Sequence, residues 1–193
     1  MRRVADRLQC PVMSLYRHLD GKNQLISLAV DAVFGEEPFP DEPPASWRLR
    51  LAESAHRQWR CYHRHPWIAS VVSLARPALS PAGMREMEWA FEGLEELAMP
   101  SGDRLKVYLL VAAFVHGAAG LLAADTQAEA KSGLTGTEWW AANAPAFRQI
   151  FATGEYVHIA GLAGAKPLAQ GEWFEFGLEC ILDGLQTRFA PVT

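Results

Sequence analysis

The chain has 193 residues, 50% of them hydrophobic, with 18 Lys/Arg against 22 Asp/Glu and a net charge of −4. That length and apolar content suit a globular protein with a sizeable core, built as one large domain or as a small one plus a medium one. Its 3 cysteines, Cys10, Cys61 and Cys180, are odd in number and in no metal-ligand spacing, which argues against a disulfide framework or zinc site and for a reducing cytoplasm.

Arg2 and Arg3 lead into an amphipathic segment rather than an apolar one, so no secretory leader is expected. Residues 1–22 read as two short helices joined by a tight turn, with Val4, Ala5, Leu8, Leu15 and Leu19 facing inward. These are the proportions of a helix-turn-helix module, whose second helix enters the DNA major groove. A third helix is expected over 23–34, ending at Gly35, with Asp20 as its candidate cap. Residues 1–35 carry Arg2, Arg3, Arg7, Arg17 and Lys22 against Asp6, Asp20 and Asp31, a balance of +2 that leaves −6 on the remainder. A mildly basic stretch on an acidic body suits contact with phosphate, and equally describes an ordinary solvated surface.

Glu36, Glu37, Pro38, Pro40, Asp41, Glu42, Pro43 and Pro44 make an acidic, proline-rich linker that cannot be helical. The expected division is therefore 1–35, a linker over 36–45, and a larger body over 46–193. Ser46 is positioned to cap a long helix over 47–65 that Pro66 stops, followed by a shorter one over 67–74. Ser80 and Pro81 open a helix to about residue 98, with Met84, Met87, Phe91, Leu94 and Ala98 on one face.

Residues 107–124 are uncharged and approach membrane-spanning length, but His116, Gly117, Gly120 and the alanines favour a buried central helix. A mobile loop is expected over 125–136, a helix over 138–153 broken at Pro145, a second loop over 161–171, and a last helix from 172 to about 189. Trp173, Gly177, Cys180, Ile181, Gly184 and Leu185 would share a face of that helix. The fold class is all-α: an N-terminal helix-turn-helix plus a larger helical bundle.

Several stretches go beyond periodicity. Arg2-Arg3-Val4-Ala5, then Met13-Ser14-Leu15-Tyr16-Arg17-His18-Leu19, then Gly21-Lys22 before a helix closely resemble the DNA-binding domain of TetR-family transcriptional repressors. Arg64-His65-Pro66-Trp67 and the closing run from Phe174 to Leu185 resemble the ligand-binding and dimerisation region of that family's tetracycline-repressor-like branch. The resemblance implies a further helix before Arg2, so the DNA-binding module is expected to be incomplete at Met1. Where the family has a capping Ser or Thr, this chain has Gln9, Cys10 and Pro11, and the second helix is expected to lack a side-chain cap.

Matched position by position, the resemblance implies that Val12, Met13 and Ser14 meet base edges, Tyr16, His18 and Lys22 hold phosphates, and Arg2 reaches a guanine. Val12 and Met13 offer no hydrogen bond, which points to readout of thymine methyls. The family binds a small molecule between the helices of its body. His56, Trp59 and His63 on one helix face, with Met87, Phe91, Tyr108 and His116, are the candidate ligand-binding residues; the same pattern also reads as core histidines and aromatic packing. Gly117, Gly120, Leu121, Gly177, Ile181, Gly184 and Leu185 resemble the face of a four-helix bundle across a two-fold axis, against the alternative of close packing within one chain.

Val71, Val72 and Ser73 stand where metal-chelating members place a His before the pair matching Arg76 and Pro77, so no metal and no cofactor are expected. The expected partners are operator DNA, an unidentified small molecule and a second copy of the chain, with no membrane. The function this implies is a ligand-responsive repressor that binds palindromic operator DNA as a homodimer. One alternative is a small-molecule-binding dimer that does not bind DNA. Another is an all-α enzyme, against which Cys61 and His63 fall on different helix faces and no catalytic residues are assigned.

Overall fold

Ser46, Ser80 and Thr135 each end a non-helical stretch, and each side chain accepts a backbone N–H from the turn that follows. Those bonds satisfy donors that a helix start leaves open, and so set where three of the longer helices begin. A computed structural model describes residues 1–75, 80–97, 99–161 and 170–189. Its helices are α1 (Arg2–Arg7), α2 (Val12–Tyr16), α3 (Lys22–Phe34), α4 (Trp47–Arg64), α5 (Pro81–Leu94), α6 (Ser101–Ser132), α7 (Gly136–Phe151), α8 (Val157–Ala160) and α9 (Gln170–Phe189). Short 3-10 turns, Pro66–Ser70 and Glu95–Leu97, follow α4 and α5. No strand occurs among the described residues, and the protein is all-α.

Several local expectations need correction. The stretch 125–136 is no loop, because α6 continues to Ser132 and stops only where Gly133 takes φ 70, the left-handed conformation that glycine adopts at little cost. Polar residues such as Gln127, Glu129 and Lys131 are good helix formers, so polarity alone does not end a helix. Pro145 lies inside α7 without breaking it. The 67–74 helix shrinks to the 3-10 turn. Gly21 rather than Asp20 holds the N-cap position of α3, and the Asp20 backbone N–H instead donates to Gln24. Ala98, Arg76, Pro77 and 162–169 of the second expected loop lie outside the described residues.

The core is built around α4, which packs against α5, α6 and α9. Leu51 and Ala55 of α4, Val107, Val111 and Val115 of α6, and Phe174, Leu178 and Leu182 of α9 are buried together. Their spacing of four puts each set on a single helix face. On α9 the face buried within the chain is 174-178-182, extended by Leu185. Among the described residues α6 alone is long and apolar enough to cross a membrane by length and composition, yet its Val and Ala side chains supply one wall of this core. α7 buries none of its residues in the chain.

Candidate functional site

At the N-terminal end, α1 and α2 meet through Ala5 and Leu15, both buried, across a turn in which Gln9 takes φ 51. Val4 and Leu19 are only partly buried, and Leu8, expected in the core, is 62% exposed. Pro11 begins α2 with no side-chain cap. The residues matched to DNA contacts lie on the outside: Met13 is 72% and Tyr16 48% exposed, Arg2, His18 and Lys22 are exposed, and Val12 and Ser14 are half-buried. Arg17, which the sequence reading passed over, donates to the Ser14 hydroxyl at 3.2 Å and adds a cation between Tyr16 and His18.

Between α3 and the body lies a cavity of about 560 Å³. Its walls are Ile26, Val30 and Phe34 of α3, Gln58 and Tyr62 of α4, residues 71–74, Met84, Glu86 and Met87 of α5, and Leu105, Tyr108 and Leu109 of α6. A volume of this size suits a drug-sized molecule, and the lining is mostly apolar with a few polar groups. Met87 and Tyr108, two of the candidate ligand-binding residues, line it. Phe91 stands behind Tyr108, edge to face at 6.1 Å, and His116 Nδ1 lies 3.0 Å from the Tyr62 hydroxyl, one layer back. Burial pushes both tyrosine hydroxyls above their ordinary values.

His56, Trp59 and His63 do not line the cavity. Their spacing gives them one face of α4, but that face is turned to α9: His56 Nε2 meets the Glu175 carboxylate at 3.0 Å, and Trp59 stacks on Phe174 at 4.4 Å with His63 edge-on at 4.5 Å. Burial holds His63 below its usual value. The cavity takes the other face, through Gln58 and Tyr62, four residues apart; the same period could have found them, but nothing in it says which neighbour each face meets.

At Glu86 the cavity wall runs into a polar cluster that joins the body to the linker. Glu86 accepts from Ser54 Oγ at 2.7 Å and from Arg57 Nε at 3.0 Å. Burial pushes its carboxyl above the ordinary value in spite of both partners. Arg57, itself buried, turns its remaining donors outward to the backbone carbonyls of Glu37, at 2.9 Å, and Pro38, and lies 3.9 Å over the Phe39 ring. Glu37 in turn accepts from Arg60 at 3.0 Å and Arg64 at 2.6 Å, and Glu36 accepts from His65 at 2.8 Å. The acidic linker is thus strapped to the side of α4 that carries Arg57, Arg60 and Arg64.

A second tie runs from α3 itself. Asp31 Oδ1 accepts from the Ala82 backbone N–H at 2.8 Å and from the Ser80 hydroxyl at 2.7 Å, so a carboxylate on α3 caps α5. The Ala82 bond, then the Ser80 bond, hold Asp31 below the usual carboxylate range.

The expected dimer residues divide. Gly117, Gly120, Gly184 and Leu121, the last 60% exposed, leave an open surface on α6 and α9. Gly177 instead serves packing within the chain, since a Cβ there would stand 2.5 Å from the Phe114 ring, and Leu185 and Ile181 pack into the core.

Residues 39–189 match the model of the tetracyclin repressor-like C-terminal domain. The chain belongs to the TetR family. An HTH-type transcriptional repressor of Streptomyces coeruleorubidus, DrrR1, is 34% identical across 98% of this chain and 70% of its own length. A regulator of Saccharopolyspora erythraea is 35% identical over 61% of this chain and 49% of its own. Among solved TetR-family structures, Streptomyces coelicolor ActR in complex with actinorhodin superposes with a TM-score of 0.78 at 25% identity, covering 98% of this chain and 88% of that one. The two sequence relatives are named as regulators of transcription, and ActR shares the helical architecture described above.

Proposed function

We propose that the protein is a cytoplasmic repressor that binds palindromic operator DNA as a homodimer and releases it when a small molecule fills the cavity. The observation that carries this is the composition of the cavity wall, which α3 shares with α4, α5 and α6. A ligand seated there touches the DNA-binding unit, 1–35, and the body, 46–193, at once, and so has differential contacts with any two arrangements of them. Support for the ligand comes from ActR, which was solved with actinorhodin bound. Support for the DNA contacts comes from the exposure of Arg2, Met13, Tyr16, His18 and Lys22 on one N-terminal unit. The open stripe of Gly117, Gly120 and Leu121 on α6, beside Gly184 on α9, is the proposed two-fold face.

Duplexes selected by the protein from a random library are expected to share an inverted repeat. Met87→Trp, which fills the cavity, should keep DNA binding while removing release by any ligand that dissociates the parent complex. Selected duplexes without two-fold symmetry would overturn the dimeric operator reading.

A further inference from the structure

The cavity is apolar and aromatic on most sides, yet one ionic side chain stands on its wall. Among the described residues Glu86 is the sole charged residue that lines it. An ionised carboxylate has about four acceptor positions, and here Ser54 and Arg57 occupy one on each oxygen. The wider surroundings do not neutralise it in excess: Glu36, Glu37, Glu53 and Glu86 face Arg57, Arg60 and Arg64, with His65 beside Glu36. Arg57 in addition spends its other donors on the linker carbonyls, pointing away from the cavity. Burial raises the Glu86 carboxyl in spite of the Ser54 and Arg57 bonds.

The rest of the wall is what a cation prefers once desolvated. Phe34, Tyr62 and Tyr108 present aromatic rings, Met84 and Met87 present polarisable thioethers, and the Tyr108 hydroxyl has no hydrogen-bond partner among the described residues. A metal ion does not fit, because no cluster of three His, Cys, Asp or Glu exists among the described residues. An anion would enter a low-dielectric space facing a carboxylate.

We propose that the cavity takes an organic cation, a largely apolar molecule whose protonated amine pairs with Glu86. This rests on the reading of the cavity as the ligand site. The ammonium competes with Arg57 for the same carboxylate, which makes Arg57, and through it the linker strap, the first part of the protein to feel the ligand.

Three fluorescent probes of one shape test it: 9-(aminomethyl)anthracene, 9-anthracenemethanol and anthracene-9-carboxylate, titrated into the full chain and followed by anisotropy. The ammonium should bind at least about tenfold tighter than the alcohol, with the carboxylate weakest, the factor that separates a charge-assisted bond from a neutral one. Glu86→Gln should bring the ammonium to the level of the alcohol, and Glu86→Asp should restore the preference. The ranking is read on the parent protein, so a poorly folding variant does not affect it. Equal binding of all three probes, still blocked by Met87→Trp, would overturn the cation inference and leave the cavity as the ligand site. Binding that Met87→Trp leaves untouched would overturn both.

Discussion

Asp31 closes the first turn of a helix to which it does not belong. A side-chain acceptor at a helix start is worth about 0.5 to 2 kcal/mol, and Asp31→Ala should lower stability by that amount in urea titration. Because its folded value lies below the unfolded one, this contribution is complete above the ordinary carboxylate value of 3.8 and is lost as pH falls below it. Parent and variant stabilities should therefore converge in acid. Gly177→Val sets a Cβ against the Phe114 ring, which Phe174 and Trp173 hold in place at 5.6 and 5.7 Å; overpacking of this kind costs about 1 to 3 kcal/mol, visible as a lower melting temperature. On the DNA side, Lys22→Ala is expected to weaken binding to all sequences alike and reduce the salt slope by about one, whereas Arg2→Ala should cost about 1 to 3 kcal/mol and relax a single base position. Competition binding across salt concentrations separates the two.

At the level of the helix, starts were easier to read than ends or faces. Ser46 and Ser80 announced α4 and α5 because a cap is a local bond between neighbours in sequence. The far end of α6 was hidden, since Gly133 marks it by a backbone angle and the eight or so residues before it are merely polar. The candidate site divides the same way: Met87 and Tyr108 line the cavity, while His56, Trp59 and His63 share a face of α4 that meets α9. Periodicity reports that residues share a face, and the partner of that face is decided by packing between elements far apart in sequence. Gln58, Glu86 and Arg57 escaped notice because a buried charged pair reads as ordinary surface polarity until its neighbours are known. The open stripe on α6 carries a prediction of its own. Leu121→Glu should turn the proposed dimer into monomer in sedimentation velocity while leaving helix content unchanged, because the side chain touches solvent in the isolated chain.

Across the whole molecule, body and N-terminal helices are joined by the Asp31 cap, the packing of Val33 and Phe34 into the core, the cavity wall and the strap that Arg57, Arg60 and Arg64 place on Glu37. Arg57→Ala would leave Glu86 buried with Ser54 alone, a loss of about 3 to 5 kcal/mol that denaturant titration should detect. A wall shared by α3 and the body has a further consequence, one for the dose that triggers release. Coupling between two binding events is reciprocal, so whatever factor the effector takes from DNA affinity, DNA must take from effector affinity. Protein seated on its operator is then the least sensitive population in the cell, and free protein the most. Extra operator copies would raise the concentration needed for half-maximal induction, and the threshold becomes a property of how many sites the genome offers as much as of the cavity itself.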